Sequence, residues 1–100
     1  MNELEIKYEQ IKKALGNKLK EYRELAGYPK RTYEGGSKSA NLLFNIESGQ
    51  NLPNEDTIIY FVELFDMNEK QKQLLLELQR EGKKIKKEMI REKRGWYWYE

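Results

Sequence analysis

The chain has 100 residues, of which 36% are charged and 38% hydrophobic, and its formal net charge is +2. This length and composition suit one small domain with a single core, and no apolar run approaches the roughly 20 residues of a membrane-spanning helix. Cysteine and histidine are absent, which excludes disulfides, thiol chemistry and the commonest zinc sites. Because the first 15 residues lack a secretory signal pattern, we expect a cytoplasmic protein that does not contact membranes.

The first predicted helix covers about residues 1–27. Apolar side chains recur there at spacings of three or four, as in an amphipathic helix, namely Leu4, Tyr8, Ile11, Leu15, Leu19, Tyr22 and Ala26. Gly27 suits the end of this helix. Gly16 costs about 1 kcal/mol relative to alanine in a helix interior, so we predict a weak point or a fresh start near it.

A short second helix is predicted over about residues 29–34, between a proline and two glycines. The third helix is predicted to begin with Ser37 or Ser39 as N-cap and to end at Gly49. Helical spacing divides it into two faces. They consist of an apolar side with Leu43 and Ile46 and a polar side with Lys38, Asn41, Asn45 and Ser48.

Two more helices follow. Asn54 is a good N-cap for the fourth, whose apolar residues include Phe61 and Phe65. Asn68 and Gln71 have the spacing of a capping box and open a fifth helix towards residue 82. Since no strand pattern is present, the prediction is an all-α, compact bundle of about five helices.

The C-terminal stretch has a different composition. Residues 79–100 contain eight basic and four acidic residues, and residues 80–94 are too poor in apolar side chains for a buried helix. We therefore divide the chain into residues 1–79 and a basic helical extension over residues 80–100. The chain ends with Trp96, Tyr97, Trp98 and Tyr99, which either fold back onto the domain or form a dimer or partner surface.

Two separated motifs carry a resemblance to a known family. One is Leu15-Gly16-Asn17-Lys18-Leu19-Lys20-Glu21-Tyr22-Arg23, and the other is Ile46-Glu47-Ser48-Gly49 followed by Pro53. Together they resemble the Cro and phage-repressor type (XRE) helix-turn-helix family over roughly residues 15–78. The resemblance implies a lambda-repressor-like domain whose third helix enters the major groove, commonly as a dimer. It also implies an ion pair between Arg23 and Glu47.

The resemblance further implies which residues meet DNA. The base-contacting positions fall on Ala40, Asn41 and Asn45, with Lys38 and Ser39 at the helix start. Asparagine can donate to and accept from the major-groove edge of adenine. Positions that meet phosphate correspond to Lys30, Arg31, Gln50 and Asn51. The alternative for all of them is an ordinary solvated polar face.

Three departures from the family pattern favour a second interpretation. The segment between residues 27 and 46 is one residue shorter than usual, and Pro29-Lys30 replaces the serine and glutamine that open the second helix. Leu42 and Phe44 widen the apolar arc of the third helix. These features are expected of a helix-turn-helix adapted to unusual DNA or converted to protein binding.

The predicted function is therefore a sequence-specific regulator of transcription that binds double-stranded DNA, as a repressor and a homodimer. The alternative is a protein-interaction module, such as an antitoxin, anti-repressor or adaptor, which uses Leu42, Phe44 and the aromatic end on a protein partner. An enzyme is not predicted, because the carboxylates are scattered and no catalytic motif is present. We expect neither a cofactor nor a metal ion.

Overall fold

The structure is a computed structural model that describes residues 2–28 and 36–98, without the side chains of residues 36–40 and 93–98. The described residues form four helices and no strand: α1 (Glu3–Leu25), α2 (Gly36–Glu47), α3 (Glu55–Leu64) and α4 (Glu69–Trp98). The predicted all-α class is confirmed, whereas the count over these residues is four instead of about five. The predicted short helix over residues 29–34 lies outside the described residues.

Helix α1 is continuous through Gly16, so the prediction of a fresh start there is wrong, while the weak point stays a prediction. Asn2 caps its start by accepting a hydrogen bond from the Glu5 N–H at 2.8 Å, and Gly27 follows its end with φ of 84°. A Cβ on Gly16 would lie 3.0 Å from the carbonyl oxygen of Glu47 and closer still to that of Ile46. Gly16 therefore allows the backbones of α1 and the end of α2 to approach each other closely.

Helix α2 ends as predicted but does not begin as predicted. Its first described residue is Gly36, so Ser37 and Ser39 lie inside the helix and neither is the N-cap. Serine is tolerated in helix interiors, and its presence alone does not mark a boundary. At the other end, Gly49 has φ of 78° and its N–H donates to the Ile46 carbonyl at 3.0 Å.

The predicted caps of α3 and α4 are confirmed. The Asn54 side chain accepts from the Thr57 N–H at 2.8 Å. Asn68 accepts from the Gln71 N–H at 2.8 Å while Gln71 accepts from the Asn68 N–H at 3.0 Å, which satisfies two N–H groups reciprocally. Helix α4 then continues past residue 82 and across the predicted division between residues 79 and 80, for 30 residues in all.

The core is built from all four helices. Its buried members are Leu15 and Leu19 of α1, Leu43 and Ile46 of α2, Ile58, Phe61 and Val62 of α3, Phe65 just after it, and Leu75 and Leu76 of α4. The rings of Phe61 and Phe65 stack with their centroids 5.8 Å apart. Helix α4 is about 45 Å long at 1.5 Å per residue, and it accounts for most of the 53 Å long dimension of the molecule.

The described side chains in the second half of α4, up to Glu92, are mostly exposed, as predicted. Ile85 and Met89 are half-buried and Ile90 is 44% exposed. Gly82 lies against Ile11 and Leu52, so this half of α4 begins where α1 and the loop after α2 meet. No helix in the described part of the chain combines the length and the apolar character needed to cross a membrane.

Candidate nucleic-acid interface

The inner face of α2 is anchored in the core. Leu43 and Ile46 are both 0% exposed, as the apolar face of the predicted helix requires. The next residue, Glu47, points its carboxylate at α1. There the Arg23 Nε donates to Glu47 Oε2 at 2.7 Å and Nη2 donates to Oε1 at 3.1 Å. The ion pair implied by the family resemblance is thus present as a two-bond contact.

This ion pair is almost completely withdrawn from solvent. The side chains of Arg23 and Glu47 are 4% and 2% exposed, and Arg23 Nη1 also donates to the Tyr28 carbonyl at 2.6 Å. A planar guanidinium that donates to both oxygens of a carboxylate has little freedom to rotate. The pair therefore fixes the end of α2 against α1 and the orientation of its other face.

The outer face of α2 presents polar side chains to solvent. Asn41 and Ser48 are exposed and Asn45 is half-buried. Ser48 Oγ donates to the Asn45 carbonyl at 3.3 Å. The side-chain amides of Asn41 and Asn45 make no hydrogen bond to the described part of the protein, so their donors and acceptors are available to a ligand.

Five other residues are predicted to contact DNA, but the structure does not describe their side chains. Lys38, Ser39 and Ala40 lie in α2 ahead of Asn41, and the structure does not describe their side chains. Lys30 and Arg31 lie outside the described residues. Their roles remain predictions from the family resemblance.

The loop after α2 contains the two remaining residues that are predicted to contact DNA, and both lie at a surface depression. Gln50 and Asn51 are exposed, and both line a depression of about 430 Å³ that reaches from this loop to Tyr8 of α1 and Lys86 of α4. Lys12 holds the loop by donating to the Gln50 carbonyl at 3.4 Å. The loop amides thus lie beside a part of α4 that is distant in sequence.

Lys86 is the residue near this surface that the sequence analysis missed. It was counted only among the basic residues of an exposed helix. The available signal was its spacing, because Leu75, Gln79, Gly82 and Lys86 recur every three or four residues on one face of α4. Lys86 itself is exposed, but it continues a row that contains the buried residues Leu75 and Gln79.

The predicted partner surface is only partly described. On α2, Leu42 is 37% and Phe44 is 49% exposed, which agrees with the widened apolar arc. Trp96, Tyr97 and Trp98 belong to α4, with side chains that are not described, and Tyr99 lies outside the described residues.

Other charged groups form ordinary surface contacts. The pKa of Lys18 is raised by its hydrogen bond to Glu21 and by the charge of that carboxylate, in a pair that joins neighbouring turns of α1. Among the described residues, no three acidic side chains come together as a metal site.

Comparisons with protein-family models, with curated protein sequences and with solved structures found no match. The resemblance to the helix-turn-helix family therefore stays a prediction from the two sequence motifs.

Proposed function

We propose that the protein is a sequence-specific regulator of transcription that binds double-stranded DNA. In this proposal α2 enters the major groove, Asn41 and Asn45 read base edges, and Gln50 and Asn51 contact phosphates. Two copies bind two half-sites, and occupation of a promoter represses transcription in the cytoplasm of the cell that makes the protein.

One observation carries the proposal: α2 is held firmly on one side and offers unpaired amides on the other. Leu43, Ile46 and the Arg23–Glu47 pair are buried, while the side-chain amides of Asn41 and Asn45 make no hydrogen bond within the described residues. A helix that enters the major groove and contacts base edges, here called a reading helix, needs both properties. Base recognition depends on side chains that are presented in a fixed orientation.

The experiment that tests the proposal is selection from a pool of random duplex DNA at near-physiological salt, followed by sequencing. We expect an inverted repeat whose half-sites lie about one helical turn apart, because a symmetric dimer places its two reading helices at that spacing. Weak binding that added salt abolishes, without any enriched sequence, would contradict the proposal.

The exposure of Leu42 and Phe44 supports a second candidate, a protein-interaction module. Apolar side chains on the solvent side of a reading helix are typical of a surface that another protein covers. This candidate is favoured if the selection enriches no sequence and if replacement of Leu42 and Phe44 by serine lowers self-association or aggregation of the purified chain. A clear sequence preference for duplex DNA that survives both replacements would exclude it.

A further inference from the structure

Lys86 lies on the side of α4 that borders the loop after α2. It lies one helical turn beyond Gly82 on the same face of α4, and Gly82 faces Ile11 and Leu52. Lys86 is exposed and lies beside Tyr8 of α1 and the loop after α2, whereas Lys84, two residues earlier, lies on the opposite side of the helix. An exposed lysine at this place can contact a ligand that is bound at the loop.

Among the described residues that line the depression, Lys86 has no carboxylate beside it. It is the only charged side chain among the described residues that line the depression, and the others include the amides of Gln50, Asn51 and Asn54. Lys12, Lys18 and Arg80 each pair with a glutamate, but Lys86 has no ion pair in the described part of the chain. The depression is thus a polar surface with one uncompensated positive charge.

We propose that Lys86 contacts a backbone phosphate of the DNA that α2 reads, at a site shared with Gln50 and Asn51. This inference rests on the proposed function and adds to it a contact from a helix outside the helix-turn-helix. An ammonium group with amide donors beside it matches the charge and the acceptor oxygens of a phosphate diester. Since Leu42 of α2 lines the same depression, a phosphate there would lie next to the reading helix.

The test compares Lys86→Gln with Lys84→Gln in the full-length chain, on the duplex enriched by the selection. Both changes remove one positive charge from the same turn of α4, so they alter the long-range field of the protein equally. We expect Lys86→Gln to lower the slope of log K against log salt concentration by about 0.9, which corresponds to about fivefold weaker binding near 0.15 M salt. Lys84→Gln should weaken binding less than about twofold.

A second measurement locates the phosphate. Single phosphates of the duplex are replaced in turn by neutral methylphosphonates, and binding is measured with the parent chain and with Lys86→Gln. At the contacted phosphate, the losses of binding free energy from the methylphosphonate and from Lys86→Gln should not add, because each change removes the same interaction. Additive losses at every position would overturn the inference.

The results separate this inference from the function on which it rests. If the parent chain shows no sequence preference, the proposed function fails and the phosphate site fails with it. If the parent chain is selective but Lys86→Gln and Lys84→Gln behave alike, only the inference about Lys86 is overturned. Circular dichroism of both variants verifies that the helices are intact.

Discussion

Glu47 belongs to α2, but its carboxylate is used by α1. Removing its charge would leave the guanidinium of Arg23 buried at 4% exposure without a counter-ion. The lost partner matters more than the attraction itself, because an unpaired buried charge retains the full penalty of having left water. Removing one member of the pair should therefore lower the free energy of unfolding by more than the attraction between the two charges alone.

The first prediction concerns Glu47→Gln. We expect the free energy of unfolding to fall by about 3–5 kcal/mol, as is typical when one partner of a buried ion pair is lost. The measurement is urea denaturation followed by circular dichroism. Arg80→Gln is the control, because the Arg80–Glu55 pair has side chains 58% and 47% exposed and should change stability by less than about 1 kcal/mol. Equal losses in the two variants would contradict the prediction.

The second prediction separates base reading from phosphate contact with one chemical change at two positions. Asn41→Ala should relax the preference at one base pair of the selected site by about 1–3 kcal/mol. Asn51→Ala should weaken binding to all duplexes alike, since phosphates carry no sequence information. Repeating the selection with each variant measures both effects, and uniform weakening by Asn41→Ala would count against direct reading.

Single residues differed in how far the sequence could predict them. The caps at Asn54 and at Asn68 with Gln71 were predictable because each hydrogen bond joins residues three apart. Arg23 and Glu47 are 24 positions apart, and only the resemblance to a family connected them. Helical spacing places Lys86 on the same face of α4 as Leu75 and Gln79, but its position beside the loop after α2 depends on how the helices pack, which no local pattern reveals.

At the scale of elements, the glycines divide into two kinds that the sequence alone does not distinguish. Gly27 and Gly49 end helices with positive φ, as predicted. Gly16 and Gly82 lie inside helices where a neighbouring element approaches closely. The prediction of a fresh start at Gly16 was wrong, and α4 did not end near Gly82. Both errors arose because the sequence does not distinguish a glycine that permits close packing from one that ends a helix.

This distinction leads to the third prediction. Gly16→Ala should lower the free energy of unfolding by about 1–3 kcal/mol, even though alanine favours helix by about 1 kcal/mol, because its Cβ would meet the backbone carbonyls of Ile46 and Glu47. Gly82→Ala is the control, since its Cβ would meet side-chain methyl groups of Leu52 and Ile11 instead of backbone atoms, and should change stability by less than about 1 kcal/mol. Thermal unfolding of both variants gives the comparison.

At the scale of the whole molecule, the fourth prediction concerns the aromatic end. Removal of residues 95–100 should convert the proposed dimer to a monomer in sedimentation experiments without lowering the unfolding temperature of the domain. Loss of the dimer follows if these residues form the contact between copies. A truncated chain that stays dimeric but melts at lower temperature would instead support folding back onto the parent domain.

Arg23 also has a consequence for how this chain could change over time. Its guanidinium binds Tyr28 and Glu47 together, and the ring of Tyr28 lies 5.4 Å from that of Phe65. One guanidinium therefore joins the residues just after α1 to the last residue of α2, and the Tyr28 ring extends this contact to the residue after α3. A substitution at position 23 would release all of these contacts at once, whereas a substitution at an exposed position of α2 would release none of them.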